Sequence, residues 1–329
     1  MRFGAAGEGM MAISRLTLGL LCGAGLAVAS AQAPGPRFEL SFPASAHASP
    51  ITGRVFVFLS RHATPEPRLA ASGYTGHSPF FATDVNQLAP GQTATVDASA
   101  EGFPVASLAR LPAGDYFAQA LLNVYTRFPR ADGHVIWAHR DQWEGQHLSR
   151  SPGNLVSAVE RIHWNPASGQ AIALSMDRVL PPLPAAADTA WVKHIKIQSP
   201  MLTKFWGRPI YLGATVLLPQ GYEQHPQQQY PVVYLQGHFG LGAPYGFTTT
   251  PSTPTPRQQQ MHALLGQETG YQFYQSWTSP GFPRMLVVTF QHPTPYYDDS
   301  YAVNSVNDGP YGDAIMQELI PYVETHFRI

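Results

Sequence analysis

Residues 54–60 read RVFVFLS: Arg54, five apolar residues in succession, then Ser60. A strand with one face in water alternates apolar and polar residues, whereas this run is apolar at odd and even positions alike. Both of its faces must therefore meet other side chains, which makes it a central buried strand. Working outward, Phe38–Phe42 alternates, and Thr93–Asp97 makes a short strand after the Pro90-Gly91 turn. Leu111–Asp115 turns the chain into Tyr116–Tyr125 (YFAQALLNVY), and Ile172–Met176 closes the set. Short strands at this spacing, with no long helix among them, predict an Ig-like β-sandwich over residues 38–180.

The grammar changes after Pro181-Pro182-Leu183-Pro184 and the three alanines that follow, so residues 181–192 are read as a linker between two domains. Beyond it, Lys193–Gln198, Ile210–Leu218, Pro231–Leu235 and Arg284–Phe290 read as strands. Ser199-Pro200 reads as a turn, Thr248–Pro256 as a Pro/Thr loop, and Gln227–Gln229 and Gln258–Gln260 as loop surface. The chain closes with a helix from about Pro310 to Phe327. Ile315, Leu319 and Val323 form its apolar stripe, with Ile320 and Phe327 beside it. Asp308 or Gly309 is placed to cap this helix, and Pro310 suits its first turn. Strands alternating with helical connections predict a mostly parallel sheet over residues 193–329.

Composition narrows the function. The 329 residues carry a formal charge of -1, which argues against a nucleic-acid partner or an anionic membrane surface. Charged residues make up 12%, and 31 prolines and 29 glycines fit short strands and turns. At the amino terminus, Arg15 precedes an apolar stretch from Leu16 to Val28 that is too short to span a bilayer. Ala29-Ser30-Ala31 follows as a cleavage site, with Ala31-Gln32-Ala33 as a competing one. Residues 1–31 are thus read as a signal peptide, cut after Ala31 or Ala33, and the product as secreted or periplasmic. The one cysteine, Cys22, lies within the signal, so the mature chain would have no disulfide, thiol nucleophile or thiolate-bound zinc. No later segment is apolar and long enough to suggest a membrane span.

Two strand ends are placed for chemistry, because reactive groups gather beyond the carboxyl ends of parallel strands. The first continues as Gln236-Gly237-His238-Phe239-Gly240, where a backbone amide after a buried strand can face an oxyanion; a plain reversing turn is the competing reading. The second continues as Gln291-His292-Pro293 toward Tyr296, Tyr297 and Asn304, residues suited to lining a substrate pocket. A G-x-S-x-G nucleophile elbow occurs nowhere in the chain; Gly76-His77-Ser78-Pro79-Phe80 supplies only its first half.

Three segments in order resemble a known family: Lys204–Pro219 (KFWGRPIYLGATVLLP), Tyr230–Phe239, and Gly309–Ala314 (GPYGDA). They are similar to the enterochelin-esterase and esterase-D-like esterases of the α/β-hydrolase class, over roughly residues 193–329. The resemblance implies a partial α/β-hydrolase domain that stops before its nucleophile elbow, often preceded by a β-sandwich as here. It implies hydrolysis of a small-molecule or carbohydrate ester through a serine acyl-enzyme, with no cofactor. It carries Gly237, His238 and Phe239 over as the oxyanion-hole candidates, the amide of Phe239 or His238 donating. The Ser/Asp/His triad has no counterpart in this sequence, so this chain is expected to be inactive alone.

The second reading is a non-catalytic binding protein: a sandwich with carbohydrate as its candidate ligand, joined to a degenerate hydrolase remnant. Trp137, Trp143, Trp164 and Tyr125 would be its stacking platform, against the plainer reading of core and rim packing. Histidine is frequent, at 13 residues, but His134 and His139 with Asp132 and Asp141 match no compact zinc spacing. No metal site is expected, and His194 reads as structural.

Overall fold

The apolar run around Val57 lies in the middle of the larger of two sheets that share one core. A computed structural model describes residues 35–71, 78–129, 133–145, 147–236, 242–296 and 299–329. The expected signal peptide and Cys22 lie outside these residues. Strands β1 (Arg37–Ser41), β2 (Ile51–Ser60), β3 (Phe80–Leu88), β4 (Ala94–Val96) and β5 (Glu101–Phe103) come first. The 16-residue β6 (Gly114–Pro129) follows, then β7 (Val135–His139), β8 (Leu155–Val156), β9 (Glu160–Trp164), β10 (Ala171–Ser175) and β11 (Arg178–Val179).

The larger sheet runs β11-β8-β6-β2-β3-β5, and β6 also pairs with β7 and β9. The smaller sheet is β10-β1-β4. Alternate β2 residues serve the two faces. Val55, Val57 and Leu59 meet Phe38 and Leu40 of β1 and Ile172 and Leu174 of β10 in the shared core. Phe56 and Phe58 meet Leu121, Val156 and Leu180 on the opposite face. Phe38 stacks on the fully buried Trp164 at 5.4 Å. Those two clusters explain why the run carries no polar residue: either face would be left without apolar partners if it reached water.

The second sheet departs from the sequence expectation. It contains β12 (Val192–Gln198), β13 (Tyr211–Leu217), β14 (Val232–Leu235) and β15 (Leu286–Gln291), in the order β12-β13-β15-β14. The β12–β13 and β13–β15 pairs are antiparallel, and only β14–β15 is parallel. The expected mostly parallel α/β-hydrolase sheet is therefore not what this chain forms; the described residues are mainly strands in antiparallel and mixed sheets. The cause lies in the 199–210 connection, which brings the chain back beside the strand it has just left. Side-chain alternation reports which residues are buried but not which way a strand runs.

Helices cover both faces of this sheet. Ser199, read above as a turn residue, caps a helix over Pro200–Trp206: its Oγ accepts from the Leu202 amide at 3.1 Å. Two more helices, Pro256–Leu265 and Gly270–Thr278, fill the β14–β15 crossover, and Gln258–Gln260 belong to the first of them rather than to a loop. Trp277 of the second packs against Leu217 and Val287 on one sheet face. The last helical segment takes the other face: Ile315, Leu319 and Val323 pack on Leu212, Val216 and Val288, as their spacing predicts.

Its start differs from expectation. Helical conformation begins at Tyr311, with Pro310 as the preceding residue, and the side chain of Asp308 does not cap it. Asn304 Oδ1 accepts from the Asp313 amide at 3.0 Å instead. The middle turn, Ile315–Leu319, is π-helical.

Gly35–Ile329 packs as one compact unit, although residues 181–190 contain no helix or strand. The sandwich meets the second sheet through Trp143, which lies over Gly213 of β13, and through Tyr296, 4.9 Å from Phe128 of β6. A Cβ at Gly213 would sit 2.7 Å from the Trp143 ring and 2.8 Å from the Ile195 carbonyl oxygen. Gly213→Ala is expected to lower stability by about 1–3 kcal/mol, because the ring and strand must separate to admit a methyl group; urea unfolding of the two proteins checks this.

Candidate functional site

The parallel pair β14–β15 sends its carboxyl ends to the same edge of the sheet. Leu235 leads to Gln236, and Gln291 leads to His292. The Gln236 side-chain nitrogen lies 3.1 Å from His292 Nε2, so the two strand exits are tied together by their first side chains. On the other side of the ring, Ser300 Oγ lies 3.0 Å from Nδ1. His292 is fully buried and Ser300 nearly so.

This order of contacts has a chemical consequence. With the Gln236 amide donating to Nε2, that nitrogen is the acceptor and Nδ1 carries the ring proton. Nδ1 then donates to Ser300 Oγ, which also accepts from the Ala302 amide at 3.2 Å. The ring holds the serine in place. In this arrangement His292 and Ser300 brace the loop.

The sequence-predicted site residues fall at different places around this edge. Tyr296 is buried between Phe128 and Trp206, at 4.9 Å and 5.8 Å, and its hydroxyl points to the Asn307 carbonyl. Asn304 is exposed and binds the start of the last helical segment. His292 and Tyr296 share one buried loop, whereas Asn304 lies across the neighbouring turn. Gly237, His238, Phe239 and Tyr297 lie outside the described residues. Gln236 and Ser300 were not singled out by sequence; their signal was position alone, next to a strand end and a candidate loop.

The proposed aromatic platform does not assemble. Trp164 is in the sandwich core, Trp143 lies on Gly213, and only Tyr125 and Trp137 border a common cavity, of about 420 Å³. Among the described residues no group of three or more His, Cys, Asp or Glu side chains could hold a metal ion. His194, on β12, faces Asp188 at 3.4 Å.

The histidine region instead contains a buried polar network. His139 Nδ1 lies 2.7 Å from Asn123 Oδ1, and Nε2 faces Glu144 Oε1. Ser151 Oγ donates to the same carboxylate at 2.9 Å, and the Gln142 amide donates to Oε2 at 2.6 Å. The set superficially resembles a Ser-His-acid triad. However, serine and carboxylate crowd the same ring nitrogen, and Ser151 is fully buried, so the set cannot relay a proton to a substrate.

Burial alone would raise the Glu144 carboxyl. Its hydrogen bonds from His139 and from backbone amides, with the charge on His139, outweigh burial and hold it below the usual glutamate range.

No family model matches this chain, and no curated protein matches it. Among solved structures, one named ferulic acid esterase is similar at 18% identity and a TM-score of 0.25. The match covers 42% of this chain and 45% of that one, so this chain spans less than half of that structure's length.

The lowered Glu144 carboxyl makes a pH prediction. A group depressed on folding stabilises above its unfolded pKa, here the ordinary value of 4.5, and loses that contribution as pH falls through its lower folded value. Wild type is expected to be more stable than Glu144→Gln at neutral pH, with the gap closing below about pH 4.5; urea midpoints measured from pH 7 to pH 3 would show it.

Proposed function

We propose that this chain forms the scaffold of an exported carboxylic-ester hydrolase that works through a serine acyl-enzyme, its acylated serine lying outside residues 35–329. The observation that carries the reading is the tie between Gln236 and His292. It fixes the exits of two neighbouring parallel strands, and the segment resembling an oxyanion loop begins at the next residue. Preorganised backbone amides at such a point are what an acyl-transfer site requires.

The ordered resemblance of Lys204–Pro219, Tyr230–Phe239 and Gly309–Ala314 to known esterases supports the same chemistry. The Leu16–Val28 stretch followed by Ala29-Ser30-Ala31 supports export. Ser300 beside the strand exits and Ser151 in the sandwich are buried and held by hydrogen bonds, which fits a nucleophile placed elsewhere.

Fluorophosphonate labelling tests this. The 329-residue chain is expected to take up no label and to hydrolyse p-nitrophenyl acetate no faster than the same chain unfolded. The natural gene product, isolated from the exported fraction, is expected to turn over the ester and to be labelled on a serine outside residues 35–329. Label on a serine within those residues, or a natural product that neither labels nor turns over, would overturn the reading.

A further inference from the structure

Where the sandwich faces the second sheet, a cleft of about 260 Å³ opens between segments far apart in sequence. Arg140 follows β7, Lys196 lies on β12, and Arg208 sits just before β13. Pro293 and Pro295, from the buried loop after β15, form the cleft's apolar side together with Pro209.

Two of the three cations, Lys196 and Arg208, lie over aromatic rings. Lys196 Nζ lies 4.2 Å from the Trp143 ring centre and 5.3 Å from that of Tyr211. The Arg208 guanidinium lies 5.4 Å from the Phe128 ring and 5.6 Å from that of Trp206. Ring faces attract a cation without neutralising it. Among the described residues, none of the three forms an ion pair with a carboxylate. Asp141 also lines the cleft, its Oδ1 accepting from the Trp143 amide at 2.7 Å, so one carboxylate faces three cations and the balance stays positive.

Positive charge is therefore concentrated in a partly enclosed place. Burial, and then the charge of Arg140, disfavour the charged form of Arg208, and burial does the same for Lys196. An anion seated among them would relieve both effects.

We propose that this cleft binds a small organic carboxylate, its anion held by Arg140, Lys196 and Arg208 and its apolar body lying against Pro209, Pro293 and Pro295. A guanidinium presents parallel N–H donors that match the two carboxylate oxygens, and Arg140 and Arg208 supply two of them. The proline side distinguishes an organic acid from a bare inorganic ion, which would leave that surface in contact with water. At ~30 Å³ for each water-sized group, the cleft has room for a molecule of roughly ten non-hydrogen atoms. The lining starts one residue beyond His292, at Pro293, and includes neither Gln236 nor His292; the inference does not depend on the ester reading.

Calorimetric titration of the whole chain at low salt tests it, with benzoate as the probe, benzamide as its neutral counterpart, and inorganic phosphate. Benzoate is expected to saturate a single site. Lys196→Gln and Arg140→Gln are each expected to weaken it about tenfold, as for a lost hydrogen bond to a charged group. Both variants replace exposed side chains, and thermal melting near that of wild type shows that they remain folded. Benzamide is expected not to bind at concentrations where benzoate saturates, and phosphate to bind more weakly than benzoate. The proposal is overturned if benzoate fails to bind wild type, if both folded variants bind it as wild type does, or if benzamide or phosphate binds as tightly.

Discussion

The structure depends on the burial of one loop. From Gln291 to Tyr296 every residue is buried, although this segment continues from a strand end, where loops ordinarily meet solvent. Burying irregular backbone demands partners for its polar groups, and these come from both halves of the chain. The Pro293 carbonyl accepts from the Tyr311 hydroxyl at 2.7 Å, and Arg140 and Tyr296 make an isolated strand-like bridge. Thr294 bonds the Tyr296 carbonyl within the loop itself. The Tyr296 ring then sits between Phe128 of the sandwich and Trp206 of the second half. Without these contacts the loop would leave its polar groups unpaired, and the two sheets would lose one of their main points of contact.

The loop also orders the surroundings in which function is proposed. Its first residues hold His292 against Gln236 and Ser300, and its prolines form one side of the cationic cleft. A displacement here would reach the strand exits and the cleft together. The buried network of Asn123, His139, Glu144 and Ser151 has a more local task. It holds the segment after β7 to β6, from which Arg140 and Trp143 project toward the second sheet. Both cases place polar groups inside the protein only where nearly every donor and acceptor is answered.

Much of the strand content was legible, and for clear reasons. The RVFVFLS run needed apolar partners on both faces and has them, and the Ile315, Leu319, Val323 stripe needed an apolar sheet and packs on one. Strand direction was not legible, because alternation is the same in parallel and antiparallel ladders; the β12–β13 pairing turned on a short connection. Neither crossover helix was read from the sequence; Pro256–Leu265 is largely polar, and nearly all its described side chains are exposed. Its local signal was present nonetheless: Thr255 with Gln258, and Thr269 with Gln272, form capping boxes at the two helix starts. The candidate site was only partly readable. His292 and Tyr296 were found by their place after a strand, yet burial gives them bracing roles. The cationic cleft could not be read, since Arg140, Lys196 and Arg208 meet only through tertiary packing.

The sandwich and the second sheet form one folded piece joined through the 291–296 loop. Differential scanning calorimetry of the chain tests that claim most directly. It predicts a single transition, with the calorimetric enthalpy equal to the van't Hoff enthalpy. Two separated transitions, with one sheet system melting while the other persists, would contradict it.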